Sequence, residues 1–73
     1  MTVTVYTTPS CVQCDSTKRL LNKNNVEYNV VDLSTNPDAH AMVLELGYTQ
    51  APIVFAGDDH WSGFRPDKIE NLV

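Results

Sequence analysis

Basic charge is scarce in this chain: five Lys and Arg stand against nine Asp and Glu, for a net charge of −4 over 73 residues. Nucleic-acid binding needs a basic face that displaces counterions, so that class of function is set aside. Long apolar runs are missing too. The longest, Ala51 to Ala56, contains Pro52 and falls far short of the ~18 residues of a membrane span. The opening Met1-Thr-Val-Thr-Val-Tyr6 has neither the basic n-region nor the apolar h-region of a secretory signal. No membrane association and a cytoplasmic location are the resulting expectations. With two cysteines, the chain is no disulfide scaffold. A bridge between Cys11 and Cys14 would close so short a loop that it stabilises by only about 2 kcal/mol, against about 3 for a fifteen-residue loop. As a structural staple it is poor.

What is present is the composition of an ordinary globular protein, 42% apolar and 19% charged. There are no internal repeats, linkers or low-complexity stretches, and residues 1–73 are expected to form one domain. A chain of this size buries only around 60% of the surface it exposes when unfolded, so its core must be efficient.

Thr2 to Tyr6 alternates polar and apolar residues, the pattern of a half-buried strand, and Thr8-Pro9-Ser10 stops it. From Cys11 to Lys23 the character is helical, with Cys14, Leu20 and Leu21 inward and Lys18, Arg19 and Lys23 outward. Asn24-Asn25 supplies an αL-tolerant end. Val26 to Leu33 reads as a second strand, with Val26, Tyr28 and Val30 on one face. Asn36-Pro37-Asp38 combines a capping residue, proline at the first helical position and an acid in the first turn. The helix it starts has Ala39, Met42, Val43 and Leu46 at core spacing and ends at Gly47. Ile53 to Ala56 is a third strand, turned by Gly57-Asp58 into a short strand around Asp59 to Trp61. Pro66-Asp67 opens a last helix over 68–73, with Ile69 and Leu72 inward. The order β-α-β-α-β-β-α gives an α/β fold. A parallel β-α-β unit joins an antiparallel hairpin in a four-stranded mixed sheet flanked by three helices.

The informative motif is Cys11-Val12-Gln13-Cys14, placed where the first strand hands over to the first helix. Unpaired amides and the helix dipole favour a thiolate at such a position by up to ~2 kcal/mol. That is enough to bring a cysteine from about 8.5 to about 7, which raises the thiolate fraction at pH 7 from about 3% to about half. Cys14, one turn on, is expected to be more buried and less acidic. Cys11 is therefore the expected nucleophile on a substrate disulfide, and Cys14 the thiol that resolves the mixed disulfide. A Cys-X-X-Cys pair is also half of a zinc site, but the other candidate ligands are only His40, on the second helix, and His60, on the hairpin. Both are read as surface residues, and no metal is expected.

Taken together, these features resemble the thioredoxin superfamily and its short glutaredoxin-like branch, over essentially the whole chain. Val5 to Cys14 resembles the glutaredoxin opening. Gln50-Ala51-Pro52 resembles the loop in which that superfamily carries a cis-proline beside the cysteines; there the Ala51 backbone would pair with an extended substrate segment. The alternative for Pro52 is a proline that merely starts a strand. Trp61-Ser62-Gly63-Phe64-Arg65-Pro66-Asp67 resembles the signature of NrdH-type redoxins. These behave as thioredoxins and donate electrons to the class Ib ribonucleotide reductase. Glutathione-dependent glutaredoxins have a Gly-Gly-containing segment here and a Pro-Tyr pair between their cysteines. This chain has Val12-Gln13 there and no Gly-Gly.

The last segment also has a reading of its own. Gly63 permits a turn, Pro66 starts a helix, and the planar fork of Arg65 suits a carbonyl or carboxylate. Trp61 and Phe64 are core residues or docking contacts, or one of each; Tyr48, Thr7 and Thr8 border the same face.

The resemblance implies a dithiol carrier without a bound cofactor. NADPH electrons would reach it through thioredoxin reductase, and the large subunit of class Ib ribonucleotide reductase would receive them. Cys11 and Cys14 would be catalytic, and Val12, Gln13, Ala51 and Pro52 would contact substrate. Trp61, Ser62, Gly63, Phe64, Arg65 and Pro66 would shape the docking side of a monomer. Two alternatives stay open: a glutathione-dependent glutaredoxin, and a module that shares an iron–sulfur cluster or metal between chains.

Overall fold

In the computed structural model, which describes residues 2–72, the element order is the expected one. Strand β1 (Val3–Thr7) leads to helix α1 (Val12–Lys23), strand β2 (Asn29–Asp32) and helix α2 (Pro37–Glu45). Strands β3 (Ile53–Ala56) and β4 (Asp59–Ser62) follow, then helix α3 (Pro66–Glu70). The four strands lie in the order β2-β1-β3-β4. β1 pairs parallel with β2, Val5 opposite Val30, and antiparallel with β3, Val5 opposite Val54. The β3–β4 hairpin sets Val54 opposite Trp61, and Gly57 takes the positive φ (61°) that its two-residue turn requires.

The sheet separates two apolar layers, because alternate residues of a strand point to opposite faces. On one face Val3, Val5, Val54, Ala56 and Trp61 pack against Leu21 of α1 and Ile69 of α3. On the other, Ile53, Leu33 and Val43 of α2 gather Tyr6, Phe55, Ala39 and Tyr48 around them.

Several sequence expectations shift. β2 begins at Asn29, so Val26 and Tyr28 lie in the connection and not in the strand. The Val26 amide donates to the Leu21 carbonyl at 2.9 Å and folds the chain back onto α1, where Val26 and Tyr28 pad the first core. Val30 is exposed. On α2 only Val43 is buried, while Met42 and Leu46 face solvent; the layer it joins is small, with Leu33 and Ile53 as its other buried residues and Ala39 packed at its edge. In α1 the inward residues are Cys14, Thr17 and Leu21, with Leu20 only half-buried. The α3 helix ends at Glu70, with Leu72 packed just beyond it. Val73, assigned to that helix on sequence, lies outside the described residues.

The topology brings three segments to one end of the sheet: the exit of β1, the entry to β3 and the exit of β4. Cys11, Pro52 and Gly63 belong to these segments.

Candidate active site

Ser10 takes a left-handed backbone (φ 59°) and turns the chain sharply out of the Thr8-Pro9 loop. Cys11 then occupies the N-cap of α1, with φ −104° and ψ 104°. Its carbonyl accepts the first helical hydrogen bond, from the Asp15 amide at 3.2 Å. Its Sγ accepts from the Cys14 amide at 3.1 Å. In most proteins a serine, threonine, aspartate or asparagine oxygen fills this role; here a sulfur does. Hydrogen bonds to the charged form of a group, together with the positive end of a helix, favour that form.

Cys11 and Cys14 are joined by a disulfide bond, with Cα atoms 5.2 Å apart. Their environments differ. Cys14 is buried, 1% exposed, on the inward face of α1, whereas Cys11 is half-buried at its tip. Val12 projects into solvent at 78% exposure. Among the described residues no three His, Cys, Asp or Glu side chains converge to hold a metal ion. His40 is exposed. The His60 ring stacks on Phe55 and meets the Tyr48 hydroxyl through Nδ1.

The Ala51–Pro52 bond is cis, and Pro52 is fully buried. The Gly63 amide donates to the Pro52 carbonyl at 2.8 Å, and the Ser62 hydroxyl donates to the Gln50 carbonyl at 2.8 Å. The end of β4 is thereby tied to the proline loop on both sides of Ala51. Ala51 itself has no hydrogen-bonded backbone group among the described residues, which leaves an amide and a carbonyl available to an extended chain.

The segment after β4 divides its tasks. Trp61 is buried in the core beneath α3, with Lys68 Nζ 5.7 Å from its ring centroid. That same Nζ donates to Asp59 Oδ2 at 3.0 Å and holds the Asp59 carboxyl below its ordinary value of 3.8. Gly63 has φ 87°, a region L side chains rarely enter. Phe64 is surface-exposed. The fork of Arg65 donates from Nε and Nη2 to the Asp67 carboxylate at 3.2 and 3.0 Å. Pro66 takes the first turn of α3. Gln13 reaches out from the first turn of α1, and its Oε1 accepts from the Phe64 amide at 3.3 Å. Thr7 is buried, Thr8 exposed and Tyr48 half-buried.

Hydrogen bonds thus link Gln13, between the two cysteines, to Phe64, and the adjoining Gly63 and Ser62 to Pro52 and Gln50, while Trp61 lies in the core and Arg65 and Pro66 at the start of α3. The sequence reading missed Thr17, a buried hydroxyl one turn behind Cys14. Its signal was present: Cys14, Thr17 and Leu21 fall at i, i+3 and i+7, the spacing of one helix face.

A family profile described as Glutaredoxin matches residues 3–61. The chain is 44% identical to the glutaredoxin-like protein NrdH of Salmonella typhimurium over 72 residues, 99% of this chain and 89% of that one. It is 33% identical to the NrdH protein of Lactococcus lactis over 71 residues, 97% and 99% of the two chains. The solved NrdH-redoxin of Escherichia coli, described as a glutaredoxin-like protein with a thioredoxin-like activity profile, superposes with a TM-score of 0.98. It shares 40% identity and covers 100% of this chain and 96% of its own.

Proposed function

The chain belongs to the glutaredoxin family, on its NrdH-type redoxin branch, and on that premise we propose how its disulfide oxidoreductase activity is divided between Cys11 and Cys14. The single observation that carries the proposal is the Cys11 sulfur at the N-cap, with the Cys14 amide donating to it at 3.1 Å. Opening the disulfide leaves that amide and the helix end facing a sulfur that ionises readily.

The Cys11 thiolate attacks a substrate disulfide. A Cys11–substrate bond forms, and the displaced substrate sulfur leaves as a thiolate with the electron pair. Cys14 loses its proton and attacks Cys11 Sγ, forming the Cys11–Cys14 bond and releasing the second substrate sulfur. Two electrons and two protons pass to the substrate, and the chain ends as the disulfide.

Ala51 offers its amide and carbonyl to an extended substrate segment beside the pair, as an added strand would. Val12 and Phe64 supply apolar contact, and Gln13 and Gly63 shape the gap between them. No bound cofactor takes part. NADPH electrons arrive through thioredoxin reductase, and the large subunit of a class Ib ribonucleotide reductase receives them, in a reducing, cytoplasmic setting. A monomer suffices, because both sulfurs come from one chain. Support for thioredoxin reductase comes from Val12-Gln13 in place of Pro-Tyr, from the lack of a Gly-Gly segment after β4, and from the activity profile ascribed to the solved NrdH-redoxin.

The test is a coupled assay with ribonucleotide reductase as acceptor. NADPH oxidation is expected with thioredoxin reductase and not with glutathione plus glutathione reductase. The reverse result would make the chain a glutathione-dependent glutaredoxin. Visible absorbance in anaerobically purified protein would instead point to a cluster-binding module.

A further inference from the structure

Thr17 presents a problem that the disulfide state does not solve. Its side chain is 0% exposed, and its Oγ1 has no hydrogen-bond partner. Helical threonines commonly return their hydroxyl to the carbonyl one turn earlier, but this one does not. Leaving a buried polar group unpaired is unfavourable, and native structures seldom leave one without a reason. The hydroxyl lies on the buried face of α1, three residues after Cys14, where side chains are neighbours at about 5–6 Å between Cβ atoms. Cys14 and Thr17 are both inward residues of that helix. In the disulfide, the Cys14 sulfur is bonded to Cys11 and carries no proton. Reduction gives it either an S–H donor or, as a thiolate, a much stronger acceptor, neither of which the disulfide sulfur offers.

We propose that Thr17 is a positioning residue for the redox pair, its buried hydroxyl unpaired in the disulfide and hydrogen-bonded to the Cys14 sulfur in the dithiol. The consequence is thermodynamic. An interaction made only in the reduced form draws the equilibrium toward that form and moderates the reducing power of the carrier. Trp61 Nε1 and Asn24 Nδ2 are also buried without partners, but Trp61 belongs to β4 and Asn24 caps the far end of α1, ten residues and about 15 Å of helix from Cys14. The inference rests on Cys14 being the buried member of the redox pair and is independent of which reductase serves the chain.

The experiment is equilibration of the purified protein against dithiothreitol couples, with the dithiol fraction read by alkylation and mass spectrometry. Thr17→Val keeps the shape and removes the hydroxyl; Thr17→Ser keeps the hydroxyl and removes the methyl. Thr17→Val is expected to shift the equilibrium about tenfold toward the disulfide, about 30 mV for a two-electron couple. Thr17→Ser is expected to stay within about twofold of the parent. Thermal melts of both redox forms provide a second reading if a variant is less stable. Thr17→Val should raise the stability of the oxidised form relative to the reduced one. An unchanged equilibrium in Thr17→Val, or an equal shift in Thr17→Ser, would overturn the proposal, the latter showing a packing effect. Failure of the thioredoxin reductase assay would leave this measurement intact.

Discussion

The Phe64 amide donates to Gln13 Oε1 across 3.3 Å, joining the first turn of α1 to the loop after β4 although the two residues are 51 positions apart in sequence. The bond is exposed, so it contributes at the low end of the usual range, about 0.5–1 kcal/mol. Gln13→Ala should raise the KM for the reductase two- to fivefold with kcat nearly unchanged. Steady-state kinetics check this, and a KM equal to the parent's would mean that the helix tip and the loop hold their places without it.

Cys11 and Cys14 differ in exposure, and their roles should differ accordingly. Cys14→Ser should accumulate a stable mixed disulfide between Cys11 and an acceptor protein, because nothing remains to resolve it. Cys11→Ser should trap almost none and lose turnover by orders of magnitude. Non-reducing gels of both variants with oxidised ribonucleotide reductase compare them directly. Equal trapping would undo the assignment.

Leu21 is fully buried between α1 and the first core layer. Leu21→Ala should cost about 2–5 kcal/mol, a large share of the roughly 4–11 kcal/mol expected for a domain of this length. Urea denaturation measures the loss. A change below 1 kcal/mol would indicate a core that closes over the gap.

Asp59 carries the acid sensitivity of the contact between β4 and α3. Its hydrogen bond with Lys68 is the main cause of its lowered carboxyl value, and burial opposes that shift. The folded value lies below the ordinary 3.8, so the contribution is complete well above that pH and fades as pH falls through the folded value. The stability gap between the parent and Asp59→Asn should therefore be present at pH 7 and close in strong acid. A gap unchanged by pH would mean that the Lys68 contact acts through shape and not charge.

Much of the fold was legible because local signals agreed with tertiary placement. Asn36-Pro37 marked the start of α2, Gly57-Asp58 the hairpin, and Cys11 the helix tip, each through backbone chemistry that neighbours do not alter. Periodicity misled where burial is decided at a distance. Met42 and Leu46 lie at core spacing yet face solvent, and Val26 and Tyr28 pack from a connection, not a strand. Polar residues hid best. Thr17 gives no apolar signal, and the Gln13–Phe64 bond joins residues that no local pattern relates.

Disulfide exchange by this chain depends most on the Cys11 sulfur being ionised by the Cys14 amide and the helix end it caps. The direct measurement is the rate of iodoacetamide alkylation of the fully reduced protein as a function of pH, with each cysteine followed by peptide mass spectrometry. Cys11 should react first, with a midpoint clearly below the ordinary thiol value of about 8.5, and Cys14 should stay protected until Cys11 is fully modified. Slow modification of Cys11 with an ordinary midpoint, or earlier modification of Cys14, would contradict that ionisation.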